Sequence, residues 1–144
     1  MLVFDTSFLA PLILEESTST KIEAFFAKLP PGEFYVSHWT RVEFASLIAR
    51  EVRMGGLAEP DALLAIGQFD ELVAESFQVL VPAVADYELA KAYIQRFATK
   101  LRAGDALHLA IASNHGAERL YTLDAGLLDA AKMLKVPASR GIKL

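Results

Sequence analysis

The chain has 144 residues, 53% of them hydrophobic and 22% charged: enough apolar mass for a buried core and too much for a disordered segment. With no cysteine it has neither a disulfide framework nor a thiolate metal site, and its three histidines, His38, His108 and His115, lack metal-ligand spacing. The net charge of −4 is not the basic footprint of a duplex-DNA binder, and any metal here would be held by oxygen, which favours Mg²⁺ or Mn²⁺.

The first apolar run, Leu2 to Phe4, reads as a short buried strand, and Asp5, Thr6 and Ser7 follow as helix-start residues. A strand this close to the start leaves no room for a signal peptide, and no apolar run approaches the roughly 20 residues of a membrane span, so the expected location is cytoplasmic. Residues 6–14 read as a short helix broken by Pro11. Ser17 to Lys28 reads as an amphipathic helix with Ile22, Phe25, Phe26 and Leu29 in its apolar stripe, stopped by Pro30, Pro31 and Gly32. Phe34 to Val36 is a strand. Thr40 to Arg53 and Pro60 to Ser76 make a helical hairpin around Gly55-Gly56, the second helix carrying Leu63, Ile66, Phe69 and Val73 in a row.

Phe77 to Val81 is the third strand. Asp86 to Phe97 is a helix with Leu89, Ala90, Tyr93 and Phe97 on one side, and Asp105 to Asn114 is a mostly apolar helix ending near Gly116. Leu120 to Leu123 is a strand, Asp124 opens a helix to about Lys135, and Val136 to Leu144 offers an edge strand interrupted by Pro137. Strands alternate with helices throughout, without repeat or linker. The expectation is a single domain over residues 1–144: a three-layer α/β/α sandwich with a mainly parallel central sheet.

Four acids stand out: Asp5, Glu43, Asp105 and Asp124. Asp5 and Asp124 each follow an apolar strand and open a helix, so parallel strands deliver both carboxylates to one sheet edge, where ligands bind in open α/β folds. Two close carboxylates repel, and a divalent cation relieves the repulsion. Each acid also has a plainer use. Asp is a favoured N-cap, as read at Asp61 and Asp86, and Asp5, Asp105 and Asp124 suit that role. Thr40 and Glu43 match a capping box, and on a helical wheel Glu43 lies with Ser46 and Arg50, away from the apolar side. His108, one turn after Asp105, serves either as ligand or base, or as a hydrogen-bonded neighbour that orients a carboxylate or closes the helix against the sheet. Thr122, two residues before Asp124, either holds the Asp124 carboxylate or binds water, or is a strand residue with no function. Arg102, Arg41, Arg50, Arg96, Lys100 and Arg119 are phosphate contacts or solvated surface. Tyr35, His38 and Trp39 are base-stacking or core residues.

Four segments together resemble the PIN-domain ribonucleases, and among them the VapC toxins of toxin–antitoxin pairs: VFDTS around Asp5, VSHWTRVEFASLIAR around Glu43, LRAGDALHLAIA around Asp105 and LYTLDAGLLDAA around Asp124. They occur in the family's order over nearly the full length. The resemblance implies a PIN-like sandwich and an acidic pocket in which Asp5, Glu43, Asp105 and Asp124 hold one or two Mg²⁺ or Mn²⁺ ions. It also implies endoribonuclease activity on single-stranded RNA, a homodimer and an antitoxin partner. It moves Glu43 and Asp105 from caps to the acidic site, with Thr6, Ser7, Thr122, His108 and Arg102 as accessories. The sequence departs from the pattern at Leu127, where relatives carry Phe, and at Gly104, where Ala is common and glycine loosens the helix start.

The implied chemistry is metal-assisted phosphodiester hydrolysis without a side-chain nucleophile. Three other readings stand beside it: an RNA-processing nuclease of the same fold with no antitoxin, a non-catalytic binding module acting through the hairpin residues Leu47, Ile48, Leu57, Leu64 and Phe69, and a receiver-like domain. The last needs paired acids at the first strand end, where this chain has Asp5-Thr6-Ser7.

Overall fold

A computed structural model describes all residues, 1–144. Five parallel strands form one sheet: β1 (Leu2–Phe4), β2 (Phe34–Ser37), β3 (Gln78–Leu80), β4 (Arg119–Tyr121) and β5 (Ala138–Ser139), in the order β3-β2-β1-β4-β5. β1 is central; Val3 pairs with Tyr35 on one side and Leu120 on the other. The edge strand β5 is only two residues long. Pro137 sits just before it, where its carbonyl accepts from the Leu120 N–H, 2.9 Å, and its missing N–H leaves no ladder bond unmade.

Seven helices complete the chain: α1 (Thr6–Leu9), α2 (Ser19–Ala27), α3 (His38–Arg53), α4 (Glu59–Ser76), α5 (Val84–Gln95), α6 (Ala103–Asn114) and α7 (Ala125–Leu134). The strands are apolar on both sides because both faces are covered. Phe4, Phe34 and Val36 join Phe8, Ile22, Phe44, Ile48 and Phe69 in one core under α1–α4. Val3 and Leu120 join Leu109, Leu127 and Ala130 under α6 and α7 on the other face, and α5 packs on α6 through Ala90, Ala106 and Ala110. Phe4 anchors the first core: its ring stands 4.9 to 6.4 Å from those of six other aromatics, Phe8, Phe25, Phe26, Phe34, Phe77 and Tyr121.

Several local expectations are corrected. The helix expected from Thr40 starts two residues earlier, at His38; Ser37 caps it, accepting from the Thr40 N–H at 3.3 Å, so the Thr40–Glu43 capping box does not form. The cap of α6 is Arg102, which puts Asp105 inside the first turn rather than at the N-cap. Asp61 likewise lies inside the first turn of α4, and Asp86 is the third residue of α5, where its carboxylate takes the Ala83 N–H at 2.8 Å. On α4 the buried ridge is Ala62, Ala65, Phe69 and Val73, and Leu63 is 71% exposed. Phe97 leaves the α5 stripe altogether: it lies in a separate 3₁₀ turn and is 81% exposed. Of the hairpin residues, Ile48 and Phe69 are core and Leu64 is exposed.

Candidate active site

Parallel strands send every helix start to the same sheet edge, and the order β3-β2-β1-β4-β5 means successive units are laid down on opposite sides of β1. The crevice where such an order reverses is where open α/β sheets place their ligands. Asp5 leaves β1 there, with its N–H still bonded to the Tyr121 carbonyl at 3.1 Å, and Asp124 follows β4. Glu43 comes in from the second turn of α3, and Asp105 and His108 from α6. All five side chains line one open cleft of about 390 Å³.

Asp5 is buried at 3% exposure and caps α1. Its Oδ1 accepts from the Ser7 hydroxyl at 2.7 Å and the Phe8 N–H at 3.0 Å, and its Oδ2 accepts from the Thr122 hydroxyl. Burial pushes its pKa up, against the pull of the His108 charge and these donors. Ser7 and Thr122 also receive the N–H groups of Leu123, 2.9 Å, and Asp124, 3.1 Å, so the two hydroxyls tie the β1 and β4 ends together around one carboxylate. Thr122 was expected inside the strand; it lies just past its end and is fully buried.

Glu43 accepts from the Thr6 hydroxyl at 2.7 Å and from His108 Nε2. Burial raises its pKa, but the His108 hydrogen bond and charge, with Thr6 and the nearby Trp39 indole, outweigh that and leave it lowered. The Trp39 N–H makes no well-formed hydrogen bond of its own. Burial lowers His108, yet the Glu43 bond and the charges of Glu43, Asp5 and Asp105 raise it overall. The two shifts describe one ion pair, in which His108 is buried and Glu43 is half-buried. The wheel grouping of Glu43 with Ser46 and Arg50 is correct, and that side lines the open cleft, with Glu43 half-buried and Ser46 and Arg50 exposed.

Asp105 is different. It accepts no hydrogen bond and has no cationic partner within salt-bridge distance. Burial first, then repulsion from Asp124, raise its pKa to about 6. Asp124 is exposed and caps α7 through Oδ1, accepting from the Leu127 N–H at 2.9 Å, which leaves its other oxygen free.

No three acidic or histidine side chains are grouped closely enough to form a ready-made metal cage. The donors nevertheless suit a hard cation. They are all oxygens, Asp105 is an unpartnered carboxylate beside another, and the cleft is open enough for water. Mg²⁺ keeps several waters and is held directly by one or two carboxylates, so it needs no closed cage. Leu47, Arg50 and Arg53 also line the cleft. Arg53 was not anticipated, although its spacing of three from Arg50 on the Glu43 side was readable. Gly104 has a role the sequence did not disclose: a Cβ there would come 2.7 Å from Glu43 Oε2 and 3.4 Å from the Trp39 ring. Tyr35 packs in the core, while His38 is exposed beside Arg41.

The PIN domain family profile matches residues 2–133. The chain belongs to the PIN domain family. Among solved structures, the PIN domain here is similar in fold to VapC20 of Mycobacterium tuberculosis, described as a sarcin-ricin loop cleaving toxin, with a TM-score of 0.72, 20% identity, and 90% of this chain and 95% of that one covered. FitAcB from Neisseria gonorrhoeae has a TM-score of 0.70 at 20% identity, covering 98% of each chain. VapBC-1 from nontypeable Haemophilus influenzae has a TM-score of 0.68 at 16% identity, covering 97% of each. Comparison with curated proteins finds no match. No helix is long and apolar enough to cross a membrane.

Proposed function

We propose that this PIN domain is a divalent-metal-dependent endoribonuclease, acting as the toxin of a toxin–antitoxin pair. The observation that carries the reading is the convergence of Asp5, Glu43, Asp105 and Asp124, from four separate segments, on one cleft at the carboxyl edge of the sheet. Asp5, Asp105 and Asp124 would hold a Mg²⁺ or Mn²⁺ ion, with Glu43 completing the acidic wall. When bound, the ion supplies Lewis-acid activation of a phosphodiester and of the attacking water.

The chain's own residues do the rest. Ser7, Thr122 and the Phe8 N–H fix the Asp5 carboxylate, and His108 and Thr6 fix Glu43, so neither acid must reorganise on binding. In the metal-free protein Asp105 is raised to about 6 by burial and by Asp124, and a bound cation would relieve that repulsion and favour the ionised carboxylate that holds it. The cleft is open rather than enclosed, which suits an extended strand. The antitoxin and the homodimer come from the family resemblance, and the toxin–antitoxin assignment is supported by folds shared with VapC20 and VapBC-1.

Purified protein is expected to cleave single-stranded RNA with Mg²⁺ or Mn²⁺ and to stop with EDTA. Asp5→Asn should abolish cleavage and leave the circular dichroism spectrum unchanged. A fully active Asp5→Asn protein sinks the assignment. An adjacent reading frame for a small DNA-binding protein that co-purifies with this chain and inhibits it is the expected sign of an antitoxin; without one, an RNA-processing role follows.

A further inference from the structure

The acids of the cleft are flanked by cations that form no salt bridge. Glu43, Ser46, Arg50 and Arg53 follow a spacing of three, four and three residues along α3, which puts them on one side of the helix, and all four line the cleft. At 1.5 Å per residue, Arg50 and Arg53 stand about 10 and 15 Å along the axis from Glu43. On the far side, Asp105 and Asp124 are shared with a second cleft of about 370 Å³ whose lining includes Lys100 and Arg102. None of these four cations forms a salt bridge or a side-chain hydrogen bond, although Asp129 lines the same second cleft. All four are exposed.

We infer that Arg50 and Arg53 on one side, and Lys100 and Arg102 on the other, form a two-sided phosphate track that lays a single RNA strand across the acids. The inference rests on the nuclease reading and specifies how that site takes its substrate. A polynucleotide cannot approach four carboxylates unaided, because its phosphates repel them. Cations on both flanks hold the backbone where their charge is not cancelled and leave the acidic centre to the scissile phosphate and its ion. Guanidinium groups suit this use, since their planar fork matches phosphate oxygens in pairs. Arg50 and Arg53 also sit in the last turn of α3, where cations favour the helix dipole. That role affects thermal stability and not the salt dependence of RNA binding, so the two separate experimentally. A track of this kind holds the strand by its backbone, so it gives affinity and register without reading sequence.

The test uses fluorescent single-stranded RNA and the full chain. Arg50→Gln, Arg53→Gln and Arg102→Gln are each made in the cleaving protein and in the Asp5→Asn protein. Arg119→Gln, at the opposite edge of the sheet, is the control. In binding titrations over a salt series, each track variant should reduce the slope of log affinity against log salt by about 0.7, the value for one phosphate contact on a single strand. In cleavage, KM should rise several-fold with kcat within twofold, and Arg119→Gln should match the parent in both. Track variants that match Arg119→Gln while the parent cleaves RNA overturn the track alone. A parent that neither binds nor cleaves RNA overturns the nuclease reading and the track with it. Variants that lose binding to an inhibitory protein partner but keep the parental RNA slope assign the cations to that partner and overturn the inference.

Discussion

His108 and Glu43 meet from different helices and shift in opposite directions, His108 up and Glu43 down, so the charged pair stabilises the native state over a definite range. The raised histidine contributes fully below its unfolded value near 6.5 and loses that contribution as pH climbs through its folded value. The lowered glutamate contributes above its unfolded value near 4.5 and loses it as pH falls further. Asp105 behaves the other way from a paired acid. Its folded value of about 6 lies above the ordinary 3.8, so its favourable contribution is complete below about pH 4 and is lost as pH rises through 6. A bound cation reverses that preference by stabilising the ionised form. Mn²⁺ affinity is therefore expected to fall below pH 6, approaching about tenfold per unit from this one proton, when followed by calorimetric titration between pH 5 and 7. A flat profile would show that Asp105 does not contact the ion.

At the scale of elements, the strand–helix junctions cap helices and line the cleft at once. Asp5 and Asp124 are N-caps whose side chains line the cleft, and in Asp124 the cap leaves an oxygen over: Oδ1 takes the Leu127 N–H and Oδ2 stays free. Replacements separate these uses. Asp124→Asn keeps a capping oxygen and removes the charge, so it should cut RNA cleavage at least a hundredfold with the melting temperature held. Asp124→Ala should lose cleavage equally and a further 1 kcal/mol or so of stability from the missing cap. Equal stabilities in urea unfolding would mean that the cap is idle. Gly104 shows the same economy on α6. Glycine weakens a helix by about 1 kcal/mol relative to alanine, yet its bare Cα is what leaves room for the Glu43 carboxylate under Trp39.

Across the whole molecule, the two cores on either face of the sheet are made from aromatic and aliphatic side chains that need no ligand to assemble. The metal-free chain should therefore stay folded in EDTA, unlike a small metal-dependent domain whose ion supplies its folding energy. Saturating Mn²⁺ should raise the melting temperature, by the equivalent of about 2.7 kcal/mol at a hundred times the dissociation constant, and Asp5→Asn should lose that shift. Scanning calorimetry reads both. Unfolding on chelation would make the ion structural, and no shift with Mn²⁺ would remove the metal site.

The sequence by itself determined the alternation of strands and helices, hence a parallel sheet with both faces covered, because apolar periodicity and chain-breaking residues act locally. It also determined the strand-end logic of Asp5 and Asp124, since a carboxylate directly after a parallel strand has only one edge to go to. Glu43 and Asp105 were legible only as members of a family pattern; read locally, both looked like caps. Tertiary structure decided otherwise because helix starts are chosen by the best available cap and by packing. Ser37 displaced Thr40, and the start at Ala103 carried Asp105 into the first turn. Likewise the Glu43–His108 pair and the Thr122–Asp5 bond join residues 65 and 117 positions apart in sequence, and the clearance at Gly104 sets α6 against Glu43 of α3. Contacts at such separations exist only once the sheet order is set, and no local periodicity encodes them.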